Sequence, residues 1–212
     1  MRKVFWDDPY QTELTTTVTS INGNEITLAE TIAFSFCGGQ ESDTAYINGL
    51  LVSDSKIMGP LIYYTLPDNH GLKVGESVKM SIDWPRRHQL MRLHFAAELI
   101  LELLVRKLGL EKIGAHIAAT KARIDFFCEQ NISTVFEDIL AEYNHLISSD
   151  LPIEKGFSDV DTQRRYWKIA GFAEVPCGGT HVKSTAEVGY VRLKRKNVGA
   201  GKERIEITLI NS

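Results

Sequence analysis

The chain has 212 residues, enough for one large domain or two small ones, and its 43% apolar and 24% charged residues are ordinary globular usage that can bury a sizeable core. A net charge of −3 with a pI near 6.1 excludes a wholesale electrostatic grip on nucleic acid but leaves room for a local basic patch. Cys37, Cys128 and Cys177 are too few and too scattered for a disulfide framework. The first residues turn acidic and polar before the apolar core of a signal peptide could form, and no stretch of about 20 apolar residues follows, so the sequence reads as a soluble, cytoplasmic protein.

In chain order, residues 1 to 83 read as short strands and turns. Thr15–Thr19 is β-branched, Asn22-Gly23-Asn24 suits a hairpin turn, and Glu25–Leu28 resumes the strand. Gly38-Gly39, Asn48-Gly49, Gly59-Pro60 and Asn69-His70-Gly71 add punctuation at short intervals, a pattern of a small β-barrel or sandwich that ends with a strand at residues 73–83. Trp84-Pro85 is a natural boundary, because proline suits the first turn of a helix. This gives a β-barrel domain over 1–84 and a second domain over 85–212. Arg86–Leu108 then has no internal Gly or Pro and is rich in helix formers, with Gly109 as its C-terminal cap.

A hairpin is expected over Ile113–Phe127, and a second helix from Val135 to Ile147 with Thr134 and Glu137 spaced for a capping box. A third, short helix is expected near Val160–Arg165. Two strands close the chain, Glu187–Arg195 and Arg204–Leu209, joined through residues 196–202. Segregated helices and strands of this kind predict an α+β class, with a two-layer second domain that lays its long helix on an antiparallel sheet.

The long helix carries an unusual pair. At about 100° per residue, Leu90, Met91, Ala97, Leu101, Leu104, Val105 and Leu108 fall near the direction of His94, and Glu98 lies one turn on in the same apolar face. Leu99, Ile100 and Leu103 point elsewhere, so this helix is packed on more than one side. A carboxylate on an apolar face must be protonated, paired or bound to a cation. Two readings stand: a hydrogen-bonded structural pair, or half of a metal site. Further ligands exist, since Cys177-Gly178-Gly179-Thr180-His181 places a thiol and an imidazole four residues apart across a flexible turn. Cysteine, histidine and carboxylate donors all suit Zn2+.

Three blocks resemble the AlaX family of free-standing alanyl-tRNA editing proteins and the editing domain of alanyl-tRNA synthetase. They are Thr31-Ile32-Ala33-Phe34-Ser35-Phe36-Cys37-Gly38-Gly39-Gln40 with Ser42-Asp43, then Arg86–His94, then Cys177–Val182 with Thr185 and Gly189. The resemblance covers most of the chain in the family's order, and the glycine-rich first block is similar to the medium-length type. It implies an N-terminal barrel, a zinc-binding editing domain, no aminoacylation domain, and hydrolysis of the ester joining serine or glycine to alanine tRNA. Such editing is needed because one small group in a pocket discriminates by only about 1–3 kcal/mol.

Within the resemblance, Thr31 matches a threonine that contacts the serine hydroxyl, and Gln40 and Glu98 complete the candidate catalytic set. Nucleotide and ATP binding come with the synthetase relationship. Two positions depart from the family's pattern: Cys37 replaces the motif's first glycine and reads as a small buried residue, and Glu98 replaces the second histidine of a His-x-x-x-His. Ligation therefore carries over in pattern to His94, Cys177 and His181, while Glu98 is either the fourth ligand or a base beside a three-ligand ion. Basic residues gather at Arg86 and Arg87 and at Lys194-Arg195-Lys196, the candidate contacts for the tRNA acceptor end. The competing classes are a tRNA-binding protein whose chemistry is lost through Glu98, and a zinc-dependent hydrolase of another aminoacyl ester.

Overall fold

The structure, a computed structural model, describes residues 1–210. The chain is mixed α+β and divides into two compact units: Met1–Cys37 with Glu41–His88, and Gly38–Gln40 with the residues from Gln89 onward.

In the first unit, β1 (Arg2–Lys3) and α1 (Val4–Asp7) lead into β2 (Glu13–Asn22), β3 (Glu25–Leu28) and β4 (Glu30–Thr31). Then come β5 (Ala45–Ile47), β6 (Leu50–Leu51), β7 (Asp54–Met58), β8 (Leu61–Thr65) and β9 (Ser77–Ile82). Seven of these form one antiparallel sheet in the order β6-β5-β9-β2-β3-β8-β7, and β1 pairs with β4 beside it. The long strand β2 serves both halves, pairing with β9 through Glu13–Thr17 and with β3 through Val18–Asn22, with a register shift between Val18 and Ser20. Val18, Ile26, Leu28, Ile47, Ile62, Tyr64, Val78 and Met80 are buried in the core of this unit. Val18, Ile47 and Val78 alternate with exposed positions and Ile62 and Tyr64 with half-buried ones, while β3 is buried on both faces from Ile26 to Leu28.

The helix α2 (Trp84–Leu108) begins on Asp83, whose side chain accepts from the Arg86 N–H at 3.0 Å, with Pro85 in the first turn. It ends at Gly109, which adopts φ +63 and donates to the Val105 carbonyl at 2.8 Å. Leu90, Met91, Leu93, Phe95, Ala96, Leu99, Ile100, Leu103 and Leu104 are all buried, so its middle is enclosed on every side, the state of a helix without a polar face.

The second unit continues with β10 (Lys112–Ile117), β11 (Ala122–Phe127), α3 (Phe136–Ser148), β12 (Glu154–Asp159), β13 (Arg164–Ile169) and β14 (Ala173–Pro176). It closes with α4 (Thr185–Val188), β15 (Val191–Gly199) and β16 (Lys202–Leu209). Two antiparallel sheets result, β10-β11-β16-β15 and β12-β13-β14. Ile124, Phe126, Ile205 and Ile207 bury one face of the four-stranded sheet.

Three local expectations need correcting. Val160–Arg165 is not helical: residues 160–163 are the turn between β12 and β13, held by the Asp159 carboxylate accepting from the N–H groups of Asp161 at 2.9 Å and Thr162 at 3.1 Å, and Arg164 and Arg165 already belong to β13. Thr134 and Glu137 do not form a capping box. A 3-10 turn at Ile132–Val135 precedes α3, Asn131 caps it, and the Thr134 hydroxyl is spent on the Asn131 carbonyl at 2.9 Å. The C-terminal hairpin is also tighter than expected, since β15 starts at Val191, after the short helix α4, and runs through Lys196 to Gly199.

Candidate metal centre

Helix α2 supplies His94 and the loop after β14 supplies Cys177 and His181, all three in the second unit. The Cys177 sulfur lies 3.4 Å from His94 Nε2 and 3.2 Å from His181 Nε2. A sulfur and a nitrogen on a tetrahedral zinc sit roughly 3.5 Å apart, so both separations come within a few tenths of an ångström of that arrangement. One donor atom from each of the three lies within 4.8 Å of the others, and Glu98 does not belong to that set. Its Oε1 is 3.4 Å from His94 Nε2, and its Oε2 accepts from Trp167 Nε1 at 3.0 Å.

Close packing fixes the two rings. Gly179 lies against His94 so tightly that a Cβ there would stand 2.0 Å from the ring carbon Cε1. The Phe95 edge meets the His181 ring at a centroid distance of 5.5 Å. Neither Nδ1 has a hydrogen-bond acceptor among the described residues, so packing rather than an outer hydrogen bond orients the imidazoles.

Gln40 is buried in the same unit and secures the loop. Its Nε2 donates to the Thr180 hydroxyl at 2.9 Å, and its Oε1 accepts from the Thr180 N–H at 3.4 Å. The preceding Gly39 adopts φ +90, and a Cβ there would meet the Ala115 carbonyl oxygen at 2.6 Å. That close approach explains the need for glycine in this motif.

The charge pattern favours a cation at the centre. Burial opposes a charge on His94, but the Cys177 sulfur and the Glu98 carboxylate outweigh it and push the imidazole up to about 10. His181 goes the other way: burial first, then the positive charges of His94, Lys155 and Arg165, hold it well below its ordinary value. Burial also works against the Glu98 charge, yet His94, Trp167 and Lys112 bring its carboxyl below the usual range. Negative charge thus converges on the His94 ring, and a sulfur and two imidazoles beside an ionised carboxylate fit a divalent ion such as zinc that takes the place of the His94 proton.

Several of the other candidate residues have partners within their own unit. Thr31 lies in the first unit, fully buried, with its hydroxyl engaged by Tyr64 Oη at 2.6 Å and accepting from the Ala33 N–H at 3.1 Å. Arg87 is not a phosphate contact: it is wholly buried, paired with Asp43 through both carboxylate oxygens and donating to the carbonyls of Pro9 at 2.9 Å and Ile32 at 2.6 Å. Every arm of that guanidinium is spent inside the first unit. Arg86 is half-buried against Glu41 at 2.8 Å and the Ser42 carbonyl. Cys37 is exposed rather than buried.

Strand alternation divides the C-terminal basic run. Arg195 turns to the buried face, where its Nε and a terminal nitrogen grip Glu203 at 2.5 and 2.6 Å. Lys194 and Lys196 stand on the exposed face, opposite Glu206 and Arg204 in register. Lys196 lines a polar pocket of about 280 Å³ with His116, Lys121, Arg123, Arg204 and Glu206, of which His116, Lys121 and Arg123 had no place in the sequence reading. Trp167 was missed as well, although its place in the alternating run Arg164–Ile169 marks it as inward-facing.

Residues 168–206 match the family described as the threonyl and alanyl tRNA synthetase second additional domain. The chain is 33% identical to the alanyl-tRNA editing protein AlaX-M of Pyrococcus horikoshii over 98% of this chain and 97% of that one. It is 31% identical to the AlaX-M protein of Methanosarcina barkeri over 98% of each. An alanine–tRNA ligase of Methanococcus maripaludis is 28% identical over 96% of this chain but only 25% of its own length. Nothing in these relatives' names or in the centre supports ATP or nucleotide binding, and no helix of the described residues is long and apolar enough to cross a membrane. The chain belongs to the AlaX-M family of alanyl-tRNA editing proteins.

Proposed function

We propose that the chain is a zinc-dependent hydrolase that releases serine or glycine wrongly esterified to alanine tRNA. The observation that carries this reading is the convergence of His94 Nε2, Cys177 Sγ and His181 Nε2 in a chain of the editing family. His94, Cys177 and His181 would hold Zn2+, which when bound supplies Lewis-acid polarisation and acidifies water. Glu98 is the base. It is ionised, it stands beside the three donors rather than among them, Trp167 holds its Oε2, and its Oε1, 3.4 Å from His94 Nε2, would take a proton from the attacking water once His94 is engaged by the metal. The bond that breaks joins the amino acid's carbonyl carbon to the ribose oxygen, and the products are the free amino acid and tRNA.

Gln40 acts by positioning: both ends of its amide are committed to Thr180, inside the Cys177–His181 loop. Thr31 supports the core of the first unit, because its hydroxyl is enclosed and already engaged. The exposed face carrying Lys194 and Lys196, together with Arg192, meets the phosphates of the tRNA acceptor end. Work on tRNA places the protein in the cytoplasm. The same reading takes 1–84 as the family's N-terminal barrel and 85–212 as the editing domain, with its long helix on an antiparallel sheet. Support comes from the seven-stranded antiparallel sheet of the first unit and from the change of unit after His88.

The test is release of amino acid from seryl-, glycyl- and alanyl-tRNA for alanine, with and without zinc. Zinc-dependent release of serine or glycine with alanine spared is the expected result. No release by metal-loaded protein, with tRNA binding intact, would instead favour a binding protein retired from chemistry by Glu98.

A further inference from the structure

The face of the four-stranded sheet opposite Ile124, Ile205 and Ile207 carries the cationic pocket of about 280 Å³, built wholly within the second unit. Strand register assembles it. Arg123 of β11 stands opposite Glu206 of β16, and Arg204 of β16 stands between Asp125 of β11 and Lys196 of β15. The turn from β10 to β11, closed by the Ala118 N–H donating to the Lys121 carbonyl at 3.0 Å, adds Thr120 and Lys121.

Two carboxylates hold these cations in place without cancelling them. Asp125 accepts from Arg204 at 2.6 and 3.0 Å and from one terminal nitrogen of Arg123, and Glu206 accepts from Lys121 Nζ at 2.7 Å. One terminal nitrogen of Arg204, and both Nε and a terminal nitrogen of Arg123, bond to no other described residue. The guanidinium groups are thus fixed and still have donors to offer. Four cations, Lys121, Arg123, Lys196 and Arg204, meet two carboxylates, Asp125 and Glu206, so two positive charges are left over.

That balance complements a dianion. A phosphomonoester carries about −1.5 to −2 at pH 7 with three acceptor oxygens, whereas a diester keeps a single charge. Guanidinium groups match phosphate oxygens in geometry as well as charge. The volume lies just below the about 300–1,000 Å³ of sites that enclose a drug-sized ligand, which suits a terminal group better than a whole nucleotide. We propose that this pocket binds a phosphomonoester group through Lys121, Arg123, Arg204 and Lys196, with the Thr120 hydroxyl as a further donor. The group has two sources, the 5′-terminal phosphate of an RNA or a free phosphorylated small molecule. The inference stands apart from the editing reading, which sets Lys194, Lys196 and Arg192 on backbone phosphates and leaves Lys121, Arg123 and Arg204 without a role.

For the test, the zinc-loaded full chain is titrated in a calorimeter with inorganic phosphate and with dimethyl phosphate, a singly charged diester, at constant ionic strength. Wild type should bind phosphate at least about tenfold more tightly, the scale of one further charge-assisted contact. Arg123→Gln and Lys196→Ala should each weaken phosphate binding about tenfold. Lys194→Ala removes the same charge from the same face outside the pocket and should change it less than about twofold. Lys196 takes no part in the Asp125 ion pairs, so its variant reports even where Arg123→Gln does not fold.

A second arm compares alanine tRNA with its 5′ phosphate and after phosphatase treatment. About tenfold weaker binding of the dephosphorylated RNA by wild type, with no such difference in Lys196→Ala, assigns the group to the RNA end. No difference, with phosphate bound in the first arm, assigns it to a free phosphorylated molecule. Absent phosphate binding, equal affinities for phosphate and dimethyl phosphate, or a loss in Lys194→Ala as large as in Lys196→Ala would overturn the proposal. Neither arm involves hydrolysis, so a failure of the editing reading leaves both unaffected.

Discussion

Trp167 Nε1 donates to Glu98 Oε2 at 3.0 Å while Glu98 Oε1 lies 3.4 Å from His94 Nε2, so a strand and a helix hold the carboxylate from two sides. Trp167 is fully buried and its ring meets Phe95 edge-on, which leaves the indole no second place to stand. Trp167→Phe keeps most of the packing and removes the donor. It is expected to lower kcat about tenfold, the scale of one lost hydrogen bond to a charged group, while zinc content stays at the wild-type level. Steady-state deacylation with metal analysis on the same samples checks both halves.

Gly179 sits where a single methyl group would enter the His94 ring, 2.0 Å from its Cε1 and 2.5 Å from its Nδ1. Gly179→Ala must therefore displace either the imidazole or the loop. Zinc affinity is expected to fall at least tenfold while the circular-dichroism spectrum persists, with chelator competition as the measurement. Undiminished zinc affinity would contradict the tight seating of His94.

Two arginine–lysine clusters that look alike in sequence should respond in opposite ways. Replacing Lys194 and Lys196 with Ala is expected to leave stability within about 0.5 kcal/mol and to flatten the logarithmic salt dependence of tRNA binding by about one unit per lost contact. Arg87→Met leaves Asp43 buried without its partner, and is expected to cost about 3–5 kcal/mol of stability. Denaturant titration and binding at several salt concentrations separate the two behaviours.

Asp125 provides a pH dependence away from the centre. Its burial disfavours the charge, but Arg204, donating at 2.6 and 3.0 Å, and Arg123 prevail and hold the carboxyl below its ordinary 3.8. A depressed folded-state value means that the stabilisation is complete above the unfolded value and is lost as pH falls through the folded one. Asp125→Asn should lower Tm near neutral pH, and the gap to wild type should begin to narrow as pH falls below 3.8 and close only below the depressed folded-state value. A gap that stays constant across the acid range would contradict the ion pair.

Much of this arrangement is written in short-range sequence signals. The long helix is legible because Asp83-Trp84-Pro85 starts it, Gly109 stops it and no breaker intervenes. Cys177 and His181 are legible only in combination: their spacing across a Gly-Gly turn is a weak signal alone and gains weight beside His94 and Glu98 on an apolar helix face. The sheet of β12, β13 and β14 was not legible, since the charged segment 154–165 hides a hairpin whose turn depends on Asp159 accepting from its own backbone. Arg87 and Arg195 were misread for one reason. Residue type gives charge, whereas the partners Asp43 and Glu203 that take the charge out of circulation are chosen by tertiary structure. Glu98 shows the same limit: its spacing from His94 was evident, but its bond to Trp167 joins residues 69 positions apart.

The most direct measurement is single-turnover release of serine from seryl-tRNA for alanine by wild type, Glu98→Gln and His94→Ala, with zinc counted in each sample. Wild type should release serine, Glu98→Gln should retain its zinc and lose release, and His94→Ala should lose both. Glu98→Gln protein that keeps zinc and full hydrolysis, or metal-loaded wild type that releases nothing, would contradict a centre in which three residues hold the metal and Glu98 moves the proton.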